Sequence, residues 1–328
     1  MNRDFLFFQW GLTESKRDYS YVIMQEAIKN RMVRLYTGPH FLRNPKIASI
    51  HAKLCKTYPY LAKLNYRFYL PKEIYKKETN IFLFNEWHPC LVNLEFFPWL
   101  KKRFGCKTVL ILRNMIVNKK YPMVNGVDLH KLKEIFDLIV TNEIKDAKEY
   151  DLFFLPNPFS SIYDKKVKIE YDICFVGKNK GRERMLMEIA KKANENNAIW
   201  NFKIVEKARR ISVLEYTDYQ PYTEIIKQDM QSNCILEIIQ PGQSSYTLRF
   251  QEAICLGKKL LTNNKEVKNE KYYDPKYIQV FERPEEINWD FVKERIQVDY
   301  NYHGEYSPIV FLEKIKRRLE QENNDGIA

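Results

Sequence analysis

No stretch of the sequence approaches the roughly 18–20 uninterrupted apolar residues that a membrane span requires. The segment Met1–Gly11 also lacks the layout of a cleaved secretory leader. A spanning protein is therefore not expected; a cytoplasmic one, at the inner face of the membrane, is. The six cysteines (Cys55, Cys90, Cys106, Cys174, Cys234 and Cys255) are scattered, contain no Cys-x-x-Cys pair and sit mostly in apolar runs. That pattern fits small buried hydrophobes and argues against zinc ligands or a disulfide framework. Neither the phosphate-loop pattern G-x-x-x-x-G-K-[ST] nor the dinucleotide pattern G-x-G-x-x-G occurs. An Asp-x-Asp pair placed to hold a divalent ion is missing as well, so no metal and no cofactor are expected.

What is present is core-forming material. Hydrophobic residues make up 45% and aromatics 14%, which excludes disorder, and 328 residues fit two domains of about 150 residues each. The net charge of +12 is unevenly placed: residues 1–160 carry 26 Lys and Arg against 15 Asp and Glu, and the remainder carries 28 against 27. A basic first half suits an anionic partner, such as a membrane surface, a phosphorylated acceptor or nucleic acid, although a merely solvated basic surface has the same composition. Lys101-Lys102-Arg103, Lys119-Lys120, Lys72 and Lys76-Lys77 lie near Phe96, Phe97, Trp99 and Leu100 in sequence. Rings beside lysines suit a membrane interface, unless the rings face the core.

Short apolar runs alternate with helix-like stretches, the mark of α/β layering around a parallel sheet. Strands are expected at 5–10, 33–37, 81–85, 108–112, 138–141 and 153–155, with helices at 17–29, 91–103 and 129–136. Leu155-Pro156-Asn157-Pro158 interrupts regular structure, because each proline removes a donor and restricts the residue before it. The alternation then restarts, with strands at 173–176, 202–205, 235–239, 259–262 and 278–281 and helices at 182–194, 222–231, 248–256 and 308–321. The expected domains are 1–158 and 159–328, the last helix packing back on the first domain. The fold class is α/β, two Rossmann-like domains.

Two segments carry the chemistry. In Phe175-Val176-Gly177-Lys178-Asn179-Lys180-Gly181-Arg182 a strand ends in glycine and feeds a helix through a basic turn, which can surround phosphate oxygens with N–H groups and cations. About 60 residues on, an apolar strand runs through Gln240-Pro241-Gly242-Gln243-Ser244-Ser245-Tyr246-Thr247 into a helix holding Arg249 and Glu252, and a helix N-terminus favours an anion. In the first half, Asn85-Glu86-Trp87-His88-Pro89 follows a strand directly. Ligands of open α/β sheets bind beyond the carboxyl ends of strands, so His88 or Glu86 is a candidate base for deprotonating an acceptor hydroxyl. Arg113, Asn114, Trp10 and Gly11 follow neighbouring strands and are acceptor-side candidates.

The two segments of the second half resemble the donor domain of GT-B glycosyltransferases, in particular those of bacterial polysaccharide and lipopolysaccharide synthesis. The likeness lies in Phe175–Arg182 and in Gln240-Pro241 through Asn263, where Glu252-Ala253 and Gly257-Lys258-Lys259-Leu260-Leu261-Thr262 match; it covers the first half only by architecture. It implies two Rossmann-like domains facing across a cleft, and transfer of a sugar from a nucleotide-sugar to a lipid-linked or polysaccharide-precursor acceptor without a metal. Lys178, Lys180, Arg182 and Arg249 would neutralise the donor diphosphate, Gly177 and the loop of Gln243, Ser244, Ser245, Tyr246 and Thr247 would bind it, Glu252 would hold the ribose, and Tyr222 would lie near the base. Many retaining members carry two glutamates with seven residues between them; Ser244 stands at the first position, which leaves the stereochemical outcome open. The expected partners are thus a nucleotide-sugar and a glycan or lipid-linked acceptor, with peripheral contact to an anionic membrane and no nucleic acid. A sugar-nucleotide epimerase of the same architecture and a nucleic-acid-binding protein are the alternatives.

Overall fold

The computed structural model describes residues 6–10, 19–36, 47, 50, 53–54, 57–58, 80–86, 91, 94–116, 122–163, 167–206, 213–217, 219–240, 242–243, 245 and 247–325. The chain divides into two compact units: Met1–Ser15, Met24–Pro156 and Phe311–Ala328 form the first, and Lys16–Ile23 with Asn157–Val310 the second.

The first unit is built on a parallel sheet of β1 (Leu6–Trp10), β2 (Val33–Tyr36), β3 (Asn80–Asn85), β4 (Lys107–Leu112), β7 (Leu138–Thr141) and β8 (Phe153–Phe154), in the spatial order β2-β1-β3-β4-β7-β8. A separate hairpin, β5 (Met123–Val124) and β6 (Val127–Asp128), turns at Asn125 and Gly126, whose φ angles of 49° and 81° are those of a tight turn that suits Asn-Gly. After β1 come α1 (Tyr19–Ile23), which belongs to the second unit, and α2 (Gln25–Lys29), which belongs to the first. These stand where one helix was expected, and the break falls at Met24, whose φ of −95° and ψ of 6° leave the helical region.

Residues of β3 and β4 are buried almost throughout, as strands covered on both faces must be. Phe82, Phe84, Leu110 and Leu112 meet α3 (Phe96–Phe104) and α4 (Leu129–Ile135) in one core. Here the reading of Phe96, Phe97 and Leu100 as interface residues is corrected, because all three are fully buried. The Phe84 and Phe97 rings meet edge to face at 5.0 Å, and Phe97 and Phe136 pack at 4.5 Å. Lys101, on the same helix, turns its ammonium to the Ile135 carbonyl (2.7 Å) and Asp137 (3.6 Å). A further short helix, α5 (Ile144–Tyr150), follows β7.

The second unit holds β9 (Tyr171–Gly177), β10 (Trp200–Val205), β11 (Glu215–Thr217), β12 (Ser232–Glu237), β13 (Lys259–Thr262) and β14 (Ile278–Val280), all parallel, in the order β11-β10-β9-β12-β13-β14. This is the Rossmann order, with the direction of winding reversing between β9 and β12. The helices are α6 (Glu183–Glu195), α7 (Tyr222–Met230), α8 (Leu248–Leu256), α9 (Trp289–Lys293) and α10 (Pro308–Asp325). The last belongs to the first unit from Phe311 onward, and it buries Leu312, Ile315 and Leu319. Cys106, Cys174, Cys234 and Cys255 are all buried. No described helix is long and apolar enough to cross a membrane.

The hairpin turn isolates a backbone effect, because a Cβ at Gly126 would meet nothing within 4 Å. Gly126→Ala is expected to cost about 1 kcal/mol from the positive φ alone, measured as a loss of unfolding free energy in urea.

Candidate functional site

Gly177 and Glu237 end the two strands that flank the reversal point of the second sheet, so the basic turn and the loop leading into α8 both rise from that point. The turn is tight: Lys180 and Gly181 have positive φ, and the Arg182 N–H donates to the Asn179 carbonyl (2.8 Å). The Asn179 side chain accepts from Glu183 N (3.1 Å) at the start of α6. Lys178 and Lys180 are exposed. Arg182 is half-buried; its Nη1 donates to the Lys178 carbonyl (3.3 Å), and its Nε is buried with no hydrogen-bond partner among the described residues.

The turn is fastened to α8 by Arg249. Its Nη2 donates to the carbonyl of Val176, one residue before Gly177, and its Nη1 meets Asp229 (2.7 Å) of α7 and Glu252. Tyr222, the first residue of α7, donates its hydroxyl to the other oxygen of Glu252, and its ring packs edge-on against Tyr19 at 5.0 Å. The second oxygen of Asp229 accepts from the Cys174 thiol of β9 (3.2 Å). Asp229 and Glu252 are fully buried, as is Tyr222 apart from a sliver of surface. One cation thus faces two carboxylates in a medium that penalises every charge. Burial, with the nearby Glu252, pushes the Asp229 carboxyl up to about 7 against the pull of Arg249. Burial opposes the charge on Arg249 too, but the two carboxylates outweigh it and hold the guanidinium protonated.

Glu237 supplies a second fastening. Buried at the end of β12, it accepts from the Thr247 N–H (2.6 Å) with one oxygen and from the Thr262 hydroxyl (2.7 Å) with the other, and burial raises its pKa. Thr247 caps α8 by accepting from Arg249 N (3.1 Å). The N–H groups of Thr247, Arg249 and Phe250 are consequently satisfied inside the protein. What this end of the unit still offers an anion is the loop before Thr247 together with Lys178, Lys180 and Arg182. In that loop Gly242 has a φ of 85°, Gln243 N donates to Gln240 O (3.1 Å) and Ser245 is buried; Ser244 and Tyr246 lie outside the described residues.

The described members of the sequence-derived donor set lie at one end of one sheet, but they divide. Gly177, Lys178, Lys180 and Arg182 belong to the turn after β9, and Gln243, Ser245 and Thr247 to the loop that leads from β12 into α8. Arg249, Glu252 and Tyr222 lie beneath as a buried network, and Glu252 is not the open acceptor for a ribose diol that its spacing suggested. Asp229, Cys174 and Glu237 were not among the candidates. Their signal in the sequence is slight: a lone acid late in a helix and a lone acid ending an apolar strand.

In the first unit the reversal of winding lies between β1 and β3, which end at Trp10 and Asn85. Glu86 follows at once and is buried. Its Oε2 accepts from the N–H groups of Arg113 (3.1 Å) and Asn114 (3.4 Å), and its Oε1 accepts from the Asn114 amide. Its carbonyl accepts from Asn125 of the hairpin. Burial raises the Glu86 pKa in spite of these donors. Glu86 thus shapes the Arg113–Asn114 loop with a carboxylate whose oxygens are both engaged. His88 and Gly11 lie outside the described residues, and of Trp10 only the backbone is described.

No family model matches the chain. No curated protein matches it in sequence. Among solved structures, it is similar to an α-glucosyltransferase in complex with UDP and a 13-mer DNA containing a HMU base, at 11% identity and a TM-score of 0.49, over 81% of this chain and 84% of the other. It is also similar to UDP-GlcNAc 2-epimerase from Methanocaldococcus jannaschii (10%, TM-score 0.45, 95% and 99% covered). A third likeness is to UDP-N-acetylglucosamine 2-epimerase from Rickettsia bellii (12%, TM-score 0.47, 98% and 97%). At such identities these are likenesses of fold, and the two Rossmann-like units are established by the strand orders described above. Among the described residues no cluster of three or more His, Cys, Asp or Glu is placed to hold a metal ion.

Two outcomes follow from the buried network. Arg249→Met leaves two carboxylates without their cation and is expected to cost about 3–5 kcal/mol of unfolding free energy. For Asp229, a folded pKa near 7 against an ordinary 3.8 means that the folded carboxyl keeps its proton while the unfolded one loses it. Stability from this group is thus present below about pH 4 and is lost as the pH rises to about 7. Wild type should lose more unfolding free energy than Asp229→Asn between about pH 5 and about pH 7 in parallel urea titrations; equal slopes would contradict the assignment.

Proposed function

We propose that this chain is an enzyme of the GT-B type that acts on a nucleoside-diphosphate sugar, held at the carboxyl ends of β9 and β12. The observation that carries the reading is Arg182: a half-buried guanidinium at the reversal point of the sheet, its Nε buried and unmatched by any described residue, beside two exposed lysines. A diphosphate supplies the missing acceptors, and its charge is met by Lys178, Lys180 and Arg182 with Gly177 in the turn. The partner loop in this reading is the one that holds Gln243, Ser244, Ser245, Tyr246 and Thr247 in the sequence. Arg249, Glu252 and Tyr222 act one layer below, fixing the distance between turn and helix. The same cations stabilise the departing diphosphate when the bond to the sugar breaks, with no step that needs a metal.

Transfer to a glycan or lipid-linked acceptor in cell-surface glycan synthesis is the reading that the basic first half supports, with Arg113, Asn114, Trp10 and Gly11 on the acceptor side and His88 as base. Glu86 then serves as the residue that positions the Arg113–Asn114 loop. Epimerisation of the sugar on its nucleotide, the activity for which two of the folds above are named, would use the same diphosphate grip and no acceptor.

In a thermal-shift panel of UDP, GDP, dTDP and CMP, one nucleotide should raise the Tm of wild type. Ligand at about 100 times its Kd stabilises by about 2.7 kcal/mol. Arg182→Ala should abolish that shift and leave the Tm of the free protein within about a degree, since Arg182 is outside the buried network. If no nucleotide shifts the wild type, the reading fails. Incubation of the matching nucleotide-sugar then separates the reactions: a new sugar epimer without acceptor identifies the epimerase, and sugar transfer that requires an added glycan or lipid-linked acceptor identifies the transferase.

A further inference from the structure

We propose that a helical face carrying Ile47, Ile50, Leu54 and Tyr58 docks on an anionic lipid surface. Residues Ile47, Ile50, Lys53, Leu54 and Thr57 are helical, and the Tyr58 N–H donates to the Leu54 carbonyl (2.8 Å) while the Thr57 hydroxyl donates to that of Lys53 (3.0 Å), each four residues back. Spacings of three, four and four residues put the four apolar side chains in one stripe along such a helix. All four are exposed, at 41%, 59%, 50% and 44%. They make up half of the eight large hydrophobic residues that are exposed among the described residues, and the other four are dispersed along the chain.

The charge around the stripe selects its occupant. Residues 41–77 hold nine Lys and Arg, Lys46, Lys53 and Lys56 among them in the same stretch of sequence as the stripe residues, against the single acid Glu73. This stretch accounts for most of the excess base of the first half. An aliphatic stripe flanked by lysines matches a bilayer whose head groups are anionic: the side chains enter the acyl boundary and the ammonium groups stay among the phosphates. A nucleic acid would answer the charge but offers Ile47, Ile50 and Leu54 no apolar phase, and single strands are bound by stacking on rings. A second copy of the chain would bring the same positive charge against itself. The mode of attachment is peripheral, the described helices being too short or too polar to span.

The inference does not rest on the nucleotide reading, and its test uses the intact chain with sedimenting vesicles of phosphatidylcholine, either alone or with about 30% phosphatidylglycerol. Binding is expected to the anionic vesicles only, and it should weaken when NaCl is raised from about 0.1 M to about 0.5 M. The double variant Ile50→Glu, Leu54→Glu should bind at least about tenfold more weakly with an unchanged Tm, because both side chains are already in water. Absence of sedimentation would overturn the proposal. So would equal binding by wild type and double variant, which would mean charge alone acts. A wild-type dimer in light scattering that the double variant dissolves would assign the face to a second copy. Oligonucleotide binding lost in that variant, with no vesicle binding, would assign it to nucleic acid.

Discussion

The second unit depends on a single guanidinium. Arg249 joins the Val176 carbonyl of β9, the acid of α7 and the acid of its own helix α8 in a region from which water is nearly excluded. A charge in that place is tolerable only with its partners, and the partners only with it, so the three elements cannot drift apart independently. The separation between the glycine turn and the helix start is fixed by this constraint before any ligand arrives. In the function proposed above, a ligand bound between the two would meet elements already held in place, so little ordering entropy would be spent on binding.

The first unit solves a related problem with less charge. Glu86 and Glu237 each close the strand just past the reversal of winding, β3 in one sheet and β12 in the other, and each turns a buried carboxylate onto the backbone of a neighbouring loop. A carboxylate accepting backbone N–H groups satisfies donors that a loop at a strand end would otherwise leave unpaired. It also shapes the rim of the sheet where open α/β folds receive ligands. Both acids are therefore positioning residues, one fixing Arg113 and Asn114 and the other fixing Thr247 and the first turn of α8.

The strands were legible wherever a run of apolar residues had to be covered on both faces, as in β3, β4, β9, β12 and β13. Some short elements escaped, although β8 and β14, of two and three residues, did not. β11 spans three residues and the β5–β6 hairpin four, too few for periodicity to register, although Asn125-Gly126 carried a turn signal in its residue types. The break at Met24 had no glycine or proline to announce it. Phe96, Phe97 and Leu100 were ambiguous for a plainer reason. An aromatic run beside lysines has the same composition whether its rings face lipid or protein, and only the packing of Phe84, Phe97 and Phe136 settles which.

By itself the sequence determined what composition and pattern can determine: two alternating halves, the places where a strand ends in a glycine turn or a polar loop, and the side on which positive charge accumulates. Those properties are local, and chain order preserves them. Which acid serves which cation was decided only by tertiary structure, because Asp229, Glu237, Arg249 and Glu252 act through partners up to 73 residues away. Spacing along the chain made Glu252 look like an open acceptor; folding gave both its oxygens to Tyr222 and Arg249. Burial sets the strength of each charge, and burial is a property of the packed unit that no residue carries alone.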